Sequence, residues 1–220
     1  MVTNLEGIVT SVQSYLENDR LVFVYTPIGN LTLIAKGSQK LTSSSRILAQ
    51  YLNLIEFKET PNKSMFTLKE GVIKNDFLEI KKSYEVTELA SIMTMLIKKY
   101  VTPEDDHASI FELLKNAMIN FKREAVLSFG FKLLRRLGYH LNLKPDGRNI
   151  KGFNLRESRL VYVGENTTID LNLEESLILL KLSYMTYDKI DRIEDVNFFK
   201  LKSFMYDYYE YHMDERMNRR

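Results

Sequence analysis

At 220 residues, 45% hydrophobic and 27% charged, the chain can bury a sizeable core in one domain or two. Zero cysteines exclude disulfides, thiolate metal sites and cysteine nucleophiles, and fit a reducing cytosol. Met1-Val2-Thr3-Asn4 has no basic leader region, no apolar run approaches the roughly 18 residues of a membrane span, and the net charge of +2 hides a sharp internal division.

Residues 122–160 carry 10 Lys/Arg against 3 Asp/Glu, a balance of +7, whereas residues 83–121 and 161–220 stand at −3 and −4. Clustered cations between acidic flanks are the electrostatic footprint of polyanion binding, although a solvated basic surface has the same composition.

In chain order, Gly7–Val12, Leu21–Tyr25 and Leu31–Ile34 read as three short strands, with turn chemistry at Asn18-Asp19 and Pro27-Ile28-Gly29-Asn30. A loop follows that carries Lys36, Lys40 and Arg46 and no acid. Gln50–Lys58 alternates as a fourth strand, and Ser64–Lys69 returns as a fifth after the turn Thr60–Lys63. Five short strands in about 70 residues suggest a small closed barrel such as the OB-fold; an SH3-like barrel gives nearly the same pattern.

The period then changes to helical. Thr87–Tyr100 carries an apolar stripe, Thr102-Pro103-Glu104-Asp105 reads as the start of a second helix, and a third spans about Glu124–Leu137. In that third helix Gly130 leaves room for a neighbour, and Lys132, Arg135 and Arg136 share one face at i, i+3 and i+4. Leu141–Arg159 reads as an irregular excursion, and Leu160–Gly164 with Thr168–Leu171 as a short hairpin. Leu173–Thr186 is expected to bury Leu173, Leu177, Leu180 and Tyr184, and Val196–Met217 to pack Phe199, Met205, Tyr209 and Met213 in the core. The fold class is therefore α+β: a five-stranded OB-fold barrel over residues 1–80, then an α-helical domain over 81–220 with a short β-hairpin excursion.

Catalytic signatures are missing. No glycine-rich phosphate loop and no G-x-S-x-G elbow occurs, and His107, His140 and His212 lack ligand spacing. His107 and His212 read as surface residues, Glu104-Asp105-Asp106 as charge in a first helical turn. A binding protein without metal or other cofactor is favoured over an enzyme. An OB-fold RNA-binding module of translation or RNA processing is the alternative, and a metal-dependent nuclease ranks third.

Several motifs together resemble the RecO family of bacterial recombination mediators. They are Gly7-Ile8-Val9, Leu16 to Val22, Tyr25-Thr26 before Gly29, Ala35-Lys36-Gly37 with Lys40 and Ser43, Tyr84 with Glu88-Leu89, Phe111 to Leu114, and Phe131 to Leu134 with Gly138-Tyr139. The resemblance implies an OB-fold followed by a helical domain, and binding of single- and double-stranded DNA without membrane association. It also implies strand annealing, partnership with RecR and the tail of single-strand-binding protein, and a cytoplasmic, nucleoid-associated location. By position it implies DNA contacts at Lys36, Lys40 and Arg46, and further ones at Lys132, Arg135 and Arg136. Many members carry a four-cysteine zinc module after the third helix; Leu141–Gly164 has no cysteine, which removes zinc here.

Overall fold

The computed structural model describes residues 4–58, 66–68 and 70–213, and spatial contacts group the chain into two units. One unit comprises Met1–Thr87 with Thr102–Lys115, the other Glu88–Val101 with Asn116–Arg220.

The first unit is built on an antiparallel meander of β1 (Asn4–Tyr15), β2 (Asp19–Thr26) and β3 (Gly29–Ala35). The other edge of β1 pairs with β4 (Leu54–Lys58). Two short strands complete the sheet: β5 (Phe66–Thr67) runs parallel to β3, and β6 (Gly71–Asn75) antiparallel to β4. Since β5 and β6 are neighbours in sequence, together they bridge the two ends of the sheet order and act as the fifth strand of an OB-fold. Val9, Val22, Val24, Leu33, Ile55 and Phe57 fill the interior, as the alternation of these strands requires.

Two sequence expectations change here. The fourth strand begins at Leu54 and not at Gln50, because Leu52 takes φ +64 and donates its N–H to Val9 O at 2.8 Å, leaving residues 50–53 as a turn. β6 escapes sequence reading because Gly71 and Ile73 are only half-buried and Val72 is exposed, so no apolar alternation marks it. Residues 64, 65 and 69 of the expected fifth strand lie outside the described residues.

Short helices α1 (Ser45–Leu48) and α2 (Leu78–Lys81) flank the last strands, followed by α3 (Tyr84–Tyr100) and α4 (His107–Ile119). α4 starts at His107 and not near Thr102. The Asp105 carboxylate turns back to accept from the Thr102 N–H (2.7 Å) and hydroxyl (3.0 Å), while Asp106 accepts from the Ser109 N–H at 3.1 Å. The acids therefore precede the helix and cap it. His107 is half-buried, not a free surface residue: its Nδ1 lies 3.2 Å from the Tyr25 hydroxyl. With the Lys115–Glu6 ion pair at 2.7 Å, this contact docks Thr102–Lys115 onto β1 and β2.

The second unit surrounds α5 (Arg123–Arg136), whose residues Glu124–Phe131 are all buried. A helix buried on every side is the centre of its bundle. Gly130 makes this possible: a Cβ there would stand 2.2 Å from Met205 Sδ, and the Gly130 carbonyl accepts from the Tyr209 hydroxyl at 2.8 Å. α6 (Leu173–Tyr184) and α7 (Asp195–His212) pack beside α5. The anticipated close neighbour of Gly130 is thus α7.

Between α5 and α6 lies an antiparallel sheet of β7 (Ile150–Asn154), β8 (Arg159–Tyr162) and β9 (Leu171–Asn172), in the order β8-β7-β9. The expected irregular excursion thus contains a strand, and the hairpin joins β7 to β8 instead of lying wholly after Leu160. Lys151-Gly152 breaks the apolar alternation of β7 and hides it from the sequence.

α6 reverses its expected orientation. Leu173, Leu177 and Tyr184 are 45%, 48% and 54% exposed, whereas Ser176, Leu179, Leu182 and Ser183 are buried. In α7, Phe198, Phe204, Met205, Tyr208 and Tyr209 are core as expected of an aromatic helix, but Phe199 is 63% exposed. The part of that helix expected beyond Met213 lies outside the described residues.

Candidate nucleic-acid interface

The cationic loop of the barrel is shaped by its glycine and by the turn it lies against. Ala35 is fully buried at the end of β3, and the Ser38 hydroxyl folds back to donate to Ala35 O at 2.7 Å. Between them Gly37 takes φ +66, a conformation costly for a side-chain-bearing residue. Its N–H donates to Asp19 Oδ1 at 2.8 Å. Gln39 donates its N–H to Asn18 O at 3.0 Å and its side-chain amide to Asp19 O at 2.7 Å. The loop is thereby tied to the β1–β2 turn, while Lys36 and Lys40 are exposed and have no carboxylate partner among the described residues. Arg46 differs: half-buried, it donates from Nη1 to Gln39 O at 3.1 Å and braces the loop from behind. From the sequence Asp19 read only as turn chemistry and as part of the Leu16 to Val22 motif; its carboxylate's hold on the Gly37 N–H shows only in the fold.

On α5 the three cations also divide. Lys132 is half-buried, with Nζ donating to Met185 O at 2.5 Å and standing 4.0 Å above the centroid of the Tyr187 ring. Burial, and then the charge of Arg135, push its pKa down to about 8. Arg135 and Arg136 are exposed, and among the described residues neither has a carboxylate partner. The Arg135 guanidinium lies 5.3 Å from the ring centroid of exposed Tyr184.

Elsewhere the +7 block is partly neutralised. Arg123 pairs with the buried Glu124 at 3.0 Å and with Asp195 at 2.5 Å. Arg148 pairs with Asp146 (2.6 Å) and Glu165 (2.8 Å), and Arg159 with Glu157 (2.6 Å) and the same Glu165 (2.7 Å). The Arg159 hydrogen bond holds the Glu165 carboxyl below its usual range. These ion pairs staple the segments around β7 and β8. Lys144 and Lys151 remain exposed and unpaired among the described residues, and exposed Arg156 has only the Tyr211 ring, 5.8 Å away. Within residues 122–160 the exposed cations without a carboxylate partner among the described residues are thus Arg135, Arg136, Lys144, Lys151 and Arg156.

Among the described residues no three His, Asp or Glu side chains converge to hold a metal ion, and no helix is long and apolar enough to cross a membrane. Residues 1–77 match the family described as Recombination protein O N terminal, and residues 82–220 the one described as Recombination protein O C terminal. The chain belongs to the RecO family. Similar RecO proteins include the DNA repair protein RecO of Clostridium acetobutylicum, 29% identical over 147 residues, or 62% of this chain and 58% of that protein. That of Clostridium perfringens is 28% identical over 142 residues, covering 61% and 58%. That of Oceanobacillus iheyensis is 21% identical over 227 residues, covering 96% and 88%. Both clostridial matches thus span less than two thirds of the relative's length. The RecO resemblance read from Ala35-Lys36-Gly37 and Lys40 falls on the turn in which Gly37 needs its positive φ.

Proposed function

We propose that this RecO family member is a DNA repair and recombination mediator. It binds single- and double-stranded DNA through phosphates, anneals complementary strands, and works with RecR and single-strand-binding protein to permit recombinase loading. The observation that carries the reading is the selective pairing of cations. Arg123, Arg148 and Arg159 are held by carboxylates, whereas Lys36, Lys40, Arg135 and Arg136 are exposed with none among the described residues. Unpaired exposed cations release counterions from a nucleic acid and add affinity without reading bases.

The test is annealing of complementary oligonucleotides coated with single-strand-binding protein. Acceleration that fades as salt rises is expected; no acceleration at low salt overturns the proposal. Competition with RNA of the same sequence belongs in the same experiment, since preferential RNA binding would favour contacts to the 2′-hydroxyl and the RNA-module reading.

A further inference from the structure

Tyr184 closes α6 and is one of several exposed rings, with Tyr84, Phe199 and Tyr211. It is 54% exposed, and its hydroxyl has no hydrogen-bond partner among the described residues. The large rings of Tyr25, Tyr208 and Tyr209 are, by contrast, fully buried in the cores. One side of the Tyr184 ring meets the Arg135 guanidinium at 5.3 Å, and Arg136 follows on the same helix end without a carboxylate partner among the described residues. Along α6, Lys181 is exposed at i−3 and held only loosely by Asp191 at 3.9 Å; Leu180 is half-buried at i−4, and Leu177 is 48% exposed at i−7. An exposed aromatic face, apolar neighbours in a row along one helix face, and free guanidinium groups beside them form the combination that holds an unstacked base with its phosphates.

We infer that the α6 face from Leu177 to Tyr184, with Arg135 and Arg136, is a stacking platform selective for single-stranded DNA. A base lies on the Tyr184 ring, and the flanking phosphates meet the two arginines. A duplex keeps its bases stacked inside and reaches only the arginines, so the platform favours single strands. Four features fit this occupant: the lack of a carboxylate at Arg135 and Arg136, the exposed ring, the outward apolar stripe, and the position of Lys132. That lysine is committed to Met185 O and the Tyr187 ring, so that Arg135 is the cation beside one side of the Tyr184 ring. The inference rests on the DNA-binding reading above and adds to it a residue whose role is contact with bases.

The experiment compares the full chain with Tyr184→Ala and Tyr184→Phe on three probes: an oligothymidylate, the same strand carrying abasic positions, and a duplex. Tyr184 is half-exposed, so both variants are expected to fold, and circular dichroism checks this. Tyr184→Ala should weaken oligothymidylate binding roughly tenfold and leave the abasic strand and the duplex unchanged. Tyr184→Phe keeps the ring and should bind as the parent does. Equal losses on all three probes, or no loss on oligothymidylate, overturn the platform while leaving DNA binding intact. So does a loss confined to an acidic peptide used as a fourth probe. If the parent chain binds none of the nucleic acids, the functional reading falls as well.

Discussion

The Lys132 ammonium donates to the Met185 carbonyl at 2.5 Å and sits over the Tyr187 ring, so a cation read from helix spacing as a surface contact closes the C-terminus of α6. The last carbonyls of a helix lack intrahelical partners and carry partial negative charge, which a lysine can satisfy. Lys132→Met should therefore cost about 1–2 kcal/mol of stability at about pH 10, where the buried amine is neutral and still donates to Met185 O, read from denaturant midpoints. Arg136→Glu, at an exposed position, should cost little stability and weaken DNA binding instead. A Lys132→Met protein as stable as the parent would contradict the capping role.

The same lysine makes stability depend on pH. Its folded pKa lies at about 8, while an unfolded lysine titrates near 10.4. Between those values the unfolded chain holds more protons, so this group makes stability rise with pH; below about 8 both states are charged and its contribution is flat. The parent should gain stability over Lys132→Met between about pH 8 and pH 10. A constant difference across that range would show that burial does not perturb the amine.

For the barrel loop, the double change Lys36→Glu with Lys40→Glu should weaken single-stranded DNA binding and leave the melting temperature unchanged, because both side chains are exposed and unpaired among the described residues. Each lost phosphate contact should also flatten the slope of log affinity against log salt by about 0.7. An unaltered slope would remove the loop from the interface.

Asp19→Ala tests whether that loop is pre-shaped. The variant loses the acceptor of the Gly37 N–H, at a cost of about 1 kcal/mol, and should weaken DNA binding although no cation is touched. Stability lost without any change in affinity would separate loop order from binding.

Gly130→Ala places a methyl group 2.2 Å from Met205 Sδ. Overpacking of this kind should cost roughly 1–3 kcal/mol. Shortening the neighbour by Met205→Val in the same chain should restore part of the loss, so the two changes are coupled. Strict additivity in thermal unfolding would place the strain elsewhere.

The barrel was legible because β1, β2 and β3 are short β-rich runs set between turn signals, even though Ile8-Val9 and Val24-Tyr25 are buried on both faces of their strands. Its last strand was not, because β6 buries little and Val72 points to solvent. The start of α4 was misplaced because Thr102-Pro103 resembles a helix cap, yet Asp105 uses its carboxylate to close a turn ahead of the helix. In the candidate interface, Lys36 and Lys40 stand exposed on the loop expected to carry them. Charge counting overstated the second cationic region, because Asp195 and Glu165, which neutralise Arg123, Arg148 and Arg159, lie outside residues 122–160.

By itself the sequence determined which segments are strands or helices wherever one apolar face dominates, and it marked the turn at Gly37 through a spacing shared with a family. Only the tertiary structure decided which side of α6 is buried. That helix offers two apolar stripes: Leu173, Leu177, Leu180 and Tyr184 on one, Leu179 and Leu182 on the other. The second is buried, flanked by Ser176 and Ser183, while Ser128 on α5 donates its hydroxyl to Leu182 O at 2.7 Å. Small side chains let α5 approach closely, and close packing outweighs the larger apolar area of the other stripe. Periodicity records that a face is apolar; what covers it depends on neighbours that are distant in the chain.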